Sequence, residues 1–337
     1  MSRLFDYASV LLLIWSVALV VSISGCSKTD NLVSPVTGNE PVEIRLKGGI
    51  ALSDMEIKAS QLPVTRAIIN KTHGELNVSF SRLDQKTNGQ YDDYNTVGSA
   101  LSATLAANSD DQPEAVVTFD PKQYYLSTEN NNNTKLIGWY PQATPNAGVI
   151  ELGINGTNDI MLSDELTGNK ADPFGGSSKV FSFAHQLTQL KFLVYAADDA
   201  AKTVWGNIPA NGIVLKNQVP TCKITLPSTV EFTGIEADLQ LPAVEIANDA
   251  PISYPVTLPV GQSSLAACGY AMIAPVTTGS LTFEITTEKG GKREVTLSQN
   301  FGVGKAYNVV LKFTATEIQP KATIAEWQNG GQVDVTL

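Results

Sequence analysis

Few side chains in this sequence are equipped for chemistry. Two histidines, His73 and His185, stand far apart, and the cysteines are three: Cys26, Cys222 and Cys268. A zinc site draws on clustered Cys, His or carboxylate ligands, and a nucleophilic triad needs a histidine beside an activated Ser or Cys. Neither a CxxC pair nor a nucleophile elbow occurs, so both chemistries would have to be built from very little. Paired carboxylates at Asp92-Asp93 and Asp164-Glu165 are adjacent in sequence and sit near turn residues, which suits solvated loops better than acid–base catalysis. The expectation is a protein that is not an enzyme and needs no cofactor. Leu62-Pro63-Val64-Thr65-Arg66-Ala67 offers a different reaction. Pro63 is incompatible with a central strand or a helix interior, so Arg66 falls on an accessible loop or edge where a trypsin-like protease could cut before Ala67. Taken alone, one arginine after a proline is a weak cleavage signal, and an ordinary surface residue is the simpler reading.

Cys26 has a more telling setting. Arg3 precedes an apolar run, Val10 to Val21, too short to span a bilayer comfortably but suited to a secretory leader. The run ends in Ile23-Ser24-Gly25-Cys26, which resembles the bacterial lipobox. That likeness implies cleavage before Cys26 and acylation of its thiol, and several acyl chains anchor far more strongly than one. Ser27 rather than Asp after the cysteine favours the outer membrane by analogy. Residues 27–41 are polar and read as a flexible tether. Cys222 and Cys268 then remain in the exported part, where a disulfide is permitted and two buried thiols are the alternative.

The elements that must position these groups are strands. Gly, Pro, Asn, Thr and Ser punctuate the chain at short intervals, apolar residues alternate with period two, and the expected class is all-β. Net charge is −10, which repels phosphate backbones and speaks against a nucleic-acid partner. Val180 to Ala196 reads VFSFAHQLTQLKFLVYA. Phe181, Phe183 and Leu187 share one parity, and Leu190, Phe192 and Val194 the other. A helical stripe through Phe183, Leu187, Leu190 and Val194 also fits. The β-rich context favours a strand that flips its buried face near His185–Gln189 and so crosses between sheets or domains, with His185 a structural boundary residue. Val42, Ile44 and Leu46 alternate with Glu43 and Arg45 as a half-buried first strand, and Val333, Val335 and Leu337 share one face of a last one. Trp139, Tyr140, Tyr124 and Tyr125 form the main aromatic concentration, either core or a sugar platform.

Together these features resemble the Bacteroidales fimbrillins. The match rests on the lipobox at Cys26, the Thr65-Arg66-Ala67 junction, the Phe181–Ala196 block, and Phe301-Gly302-Val303-Gly304-Lys305-Ala306-Tyr307 followed by Ala322-Thr323-Ile324-Ala325-Glu326-Trp327. The resemblance implies two β-sandwich domains of transthyretin-like topology in tandem: signal peptide 1–25, tether 26–41, N-terminal domain 42–184 and C-terminal domain 185–337. It implies export to the outer membrane and cell surface as a lipoprotein, and cleavage after Arg66 by an arginine-specific protease. Loss of the strand carrying Val42, Ile44 and Leu46 would then open a groove for a donor strand, here Val333, Val335 and Leu337, from another fimbrial subunit. The expected product is an adhesive fimbrium whose host or bacterial ligand the sequence does not name. A monomeric outer-membrane lipoprotein that binds glycans, and a tip adhesin of the same fold, are the alternatives.

Overall fold

The computed structural model describes residues 41–51, 75–107, 114–126, 131–241, 252–277 and 279–325. Cys26, Arg66, Ala67, Val333, Val335 and Leu337 lie outside the described residues. The first part of the chain gives β1 (Leu46–Ile50), β2 (Leu76–Asp84), β3 (Leu101–Leu105), β4 (Ala115–Phe119), β5 (Thr134–Tyr140), β6 (Val149–Gly153), β7 (Met161–Ser163), β8 (Leu166–Gly168) and β9 (Val180–His185). Then follow β10 (Thr188–Ala196), α1 (Asp199–Trp205), β11 (Asn207–Ile208), β12 (Ile213–Gln218), β13 (Thr221–Thr225), β14 (Thr229–Thr233) and β15 (Ala237–Gln240). The last strands are β16 (Val256–Thr257), β17 (Ala266–Ile273), β18 (Leu281–Thr287), β19 (Gly291–Leu297), β20 (Ala306–Phe313) and β21 (Ile318–Ala325). The protein is all-β, as its period-two patterning predicts.

The Val180–Ala196 stretch makes its switch at Gln186–Leu187. β9 buries Phe181, Phe183 and His185, whereas β10 buries Leu190, Phe192, Val194 and Ala196. Gln186 donates its N–H to Ile160 O at 2.8 Å, and Leu187 O accepts from Gly304 N–H at 2.9 Å. Each strand therefore enters a different sheet, and the helical reading fails because both halves are committed to ladders. Asn155-Gly156 turns where expected, with Gly156 at φ 84°, a conformation that glycine adopts without steric cost. The short helix α1 was not legible as an amphipathic period. It is set instead by Asp198, whose carboxylate accepts from Ala201 N–H at 2.8 Å, and by buried Trp205.

The first seven-strand array closes on itself. β2, β3, β4, β1, β9, β7 and β5 are hydrogen-bonded in that order, β5 pairs back onto β2, and β8 flanks β5. Inside lie Phe80, Phe119, Phe181 and Phe183 with the aliphatics of β1 to β4. The second array is a sandwich, with β17-β10-β20-β21 facing β15-β12-β18-β19. Its core interleaves Leu190, Phe192 and Val194 with Phe283, Ile285, Val309, Leu311 and Phe313. At its centre β10 and β20 run parallel, Gln189 opposite Ala306 through Ala196 opposite Phe313. The described residues fall into one compact unit. A third cluster contributes to that, because β6 pairs with β13 across the 184/185 sequence boundary and buries Ile150, Leu152, Cys222 and Ile224 with Trp139.

Candidate functional site

The feature that sets this molecule apart is the position of β1. It is paired on both sides, antiparallel to β4 with Leu46 opposite Val117, and parallel to β9 with Gly48 opposite Phe181 and Ile50 opposite Phe183. A strand so placed closes the ring, and its loss would leave two unpaired ladder edges. Regular strand geometry covers Leu46–Ile50 rather than Val42–Leu46. Glu43 makes only an isolated bridge to Tyr124, although Ile44 N–H still donates to Gln123 O at 2.8 Å and Val42 O accepts from Tyr125 N–H at 2.9 Å. The sequence pattern stopped at Leu46 because Gly48-Gly49 follows, and glycine weakens any strand signal.

Inward-facing Ile44, Leu46 and Ile50 are 3%, 1% and 8% exposed. Burying three such side chains contributes about 5–9 kcal/mol at roughly 1.5–3 each. Beneath them Phe80 meets Phe119, Phe181 and Phe183 edge to face at centroid distances of 5.4, 5.1 and 6.0 Å. Gly48 is tightly enclosed: a Cβ there would stand 3.1 Å from Val117 Cγ2 and 3.3 Å from Phe181 O. Outward, Glu43 pairs with Lys122 at 3.2 Å and Arg45 at 3.6 Å, and Lys47 approaches Glu114 at 3.8 Å.

The rim of this seat is fastened independently of β1. Arg82 Nη2 donates to Tyr124 O at 2.9 Å while its Nε holds Asp84, and Tyr125 Oη accepts from Phe174 N–H at 2.7 Å. Burial pushes the Tyr125 phenol up to about 12, so the hydroxyl stays neutral as an acceptor. None of Arg82, Lys122 or Gly48 had a signal in the sequence; isolated charges and a glycine acquire meaning only when the chain brings residues 43, 82 and 122–125 together.

Other residues singled out in the sequence fall elsewhere. Trp139 is fully buried and donates Nε1–H to Ala143 O at 3.2 Å, so it is core and not a platform. Tyr125 is buried as well, and Tyr124 is 42% exposed. Cys222 and Cys268 are both free and buried, in different core clusters, so the permitted disulfide is not made. Desolvation pushes the Cys222 thiol up to about 12 and the Cys268 thiol further, leaving both inert. His185 is buried at the sheet switch with Nδ1 2.5 Å from Asp159 Oδ2, a junction contact. Asp92 pairs with Lys86, Asp93 accepts from Asn95 N–H, and Glu165 binds Lys135 Nζ at 2.7 Å and Tyr94 Oη at 2.6 Å. Those carboxylates serve turns and packing. Among the described residues no group of three or more His, Cys, Asp or Glu is placed to hold a metal ion, and no helix is long and apolar enough to cross a membrane.

Fold and site together define an all-β protein of stacked strand layers, distinguished by a centrally paired strand near the start of its described residues. The fimbrillin-like family model matches residues 65–327, and the chain belongs to that family. Among solved structures, it is similar in fold to a candidate cell adhesion protein from Bacteroides uniformis, with a TM-score of 0.56 at 12% identity over 87% of this chain and 100% of the other. A second, from Bacteroides ovatus and of the same description, gives a TM-score of 0.51 at 14% identity over 86% and 99%. No curated protein matches the sequence.

Proposed function

We propose that this chain is a structural subunit of a cell-surface fimbrium that mediates adhesion, and that it assembles by protease-triggered strand exchange. In this reading Cys26 is acylated for export to the outer membrane. An arginine-specific protease then cuts between Arg66 and Ala67, and the removed segment carries Val42, Ile44 and Leu46 with the whole of β1. The N-terminal domain, 42–184, supplies the vacated seat, and the segment with Val333, Val335 and Leu337, beyond the C-terminal domain's described strands, fills the seat of the next subunit.

The observation that supports it is that β1, the strand upstream of Arg66, lies between β4 and β9 instead of at an edge. Removing an edge strand would leave a stable molecule with one edge. Removing this one opens the ring and exposes the apolar floor around Phe80, Phe181 and Phe183, a surface that favours β-augmentation by another chain. Donation from one subunit to the next is heterologous and yields a filament in place of a closed dimer. The family match is consistent with a removable strand, since residues 65–327 begin next to Arg66 and leave out β1. The glycan-platform alternative is weakened by the burial of Trp139.

Replacing Arg66 by Ala and following polymer on a non-boiled gel tests the trigger: the variant should stay monomeric, and continued polymer formation would refute it. Deleting residues 332–337 should leave a folded subunit that accepts but does not donate. Mass spectrometry of protein from the cell surface reads acylation at Cys26 and a new terminus at Ala67 in one measurement.

A further inference from the structure

Residues 42–46 read Val-Glu-Ile-Arg-Leu, and residues 333–337 read Val-Asp-Val-Thr-Leu. First and last residues are identical, the second and third differ by one methylene each, and only the fourth changes in kind. A five-residue likeness in a strand-rich chain means little by itself. It gains content from the seat, where each shared position has a task. Val42 packs against the ring core, Ile44 and Leu46 are inside it, and Glu43 faces outward to Lys122 at 3.2 Å.

We propose that the donor segment of a second copy enters the seat in the same direction as β1, with Val333, Val335 and Leu337 replacing Val42, Ile44 and Leu46, and with Lys122 selecting this arrangement by pairing with Asp334. This rests on the strand-exchange reading and goes beyond it in fixing direction, register and the selecting charge; the donor so placed takes the positions of residues 42–46 beside residues 123–125 and β4, and leaves those of residues 47–50 beside β9 open. Val335 N–H takes over the bond to Gln123 O, and Val333 O the bond from Tyr125 N–H, that Ile44 and Val42 make now.

Other arrangements meet specific obstacles. A one-residue slip turns Asp334 and Thr336 into the aromatic floor, where a carboxylate has no partner to offset its lost hydration. Sliding two residues toward Ile50 sets Leu337 on the place of Gly48, and sliding four sets Val335 there, where even a Cβ stands 3.1 Å from Val117 Cγ2 and 3.3 Å from Phe181 O. Sliding two residues the other way leaves the Leu46 pocket unfilled. Reversal of direction keeps the alternation but sets Thr336 beside Lys122 and moves Asp334 to the place of exposed Arg45. Charge therefore breaks the tie. The Lys122 side chain is 61% exposed, so it acts as a selector of orientation more than as an anchor.

Glu43 and Tyr124 form an antiparallel bridge, so whatever replaces Glu43 stands within disulfide reach of position 124, such pairs having Cα atoms about 4.5–5.5 Å apart. Full-length chain carrying Tyr124→Cys with Asp334→Cys, exported and processed, should give a ladder of cross-linked subunits on a non-reducing gel. Tyr124→Cys with Thr336→Cys should not. A ladder from the second pair alone would overturn the direction, and polymer without a ladder from either would overturn the register. Both results leave strand exchange standing, which fails only if deletion of 332–337 still yields polymer. Lys122→Glu should slow assembly by roughly fivefold, and adding Asp334→Lys should restore it. Without restoration, the role given to Lys122 is wrong.

Discussion

The ring and the second sandwich bury cores of similar make-up, each with phenylalanines packed edge to face: Phe80 on Phe181 in one, Phe192 on Phe283 in the other at 5.4 Å. They differ in where their strands come from. Every described strand of the second sandwich begins at Thr188 or beyond, so a cut at Arg66 removes none of them. The ring takes β1 from upstream of that arginine and holds it between two neighbours. Equal packing therefore does not mean equal autonomy. A core is only as independent as the covalent continuity of the strands that close it.

The largest expected effect of breaking this asymmetry is on chain starting at Ala67 with residues 332–337 deleted. Hydrogen exchange should show β4 and β9 losing protection while β10, β18 and β20 keep theirs, because roughly 5–9 kcal/mol of burial has gone from the ring alone. Uniform protection across both cores would remove the asymmetry. Next come Phe181→Ala and Phe283→Ala, each costing about 3–5 kcal/mol in the uncut chain by urea unfolding. In the trimmed chain the Phe283 cost should stand unchanged and the Phe181 cost should fall to less than half, since its β1 partners are absent. Smaller again, Gly48→Val should cost about 1–3 kcal/mol through overpacking against Val117 and Phe181, and should cost nothing after trimming.

The smallest effect is on alkaline stability. Burial raises the folded-state values of Cys222, Tyr125 and Tyr254 to about 12, from ordinary values of 9.0 for the thiol and 10.0 for the phenols. Their neutral forms are the buried ones, so the folded state holds protons that the unfolded chain releases. Stability is then full below pH 9 and falls between about pH 9 and 12. Tyr254→Phe should flatten that fall in a plot of urea midpoint against pH for the second sandwich, and Tyr125→Phe should do so for the ring. An unchanged slope in both variants would show that burial at these phenols does not couple to folding.

Much of the fold was legible. β4 and β18 follow their alternation residue by residue, as Ala115, Val117 and Phe119 and then Leu281, Phe283 and Ile285 turn inward. The face switch at Gln186–Leu187 was readable because a change of parity has no other explanation in a continuous strand. β1 was displaced by four residues because Gly48 and Gly49 carry no pattern, yet Gly48 is where the seat is tightest. The pairing of β6 with β13 was invisible, since strand partners seventy residues apart leave no mark on local periodicity.

The sequence by itself determined the all-β class, the inward faces of most strands and the change of sheet in the middle of the chain. All of these are encoded in the spacing of apolar residues along one strand. Tertiary structure alone decided that β1 closes a ring instead of lining an edge, that Arg82 and Lys122 gather at its rim, and that Cys222 and Cys268 sit in separate cores. Strand order and the meeting of distant charges depend on which ladders pair, and pairing is settled by packing across the whole molecule, which no local pattern records.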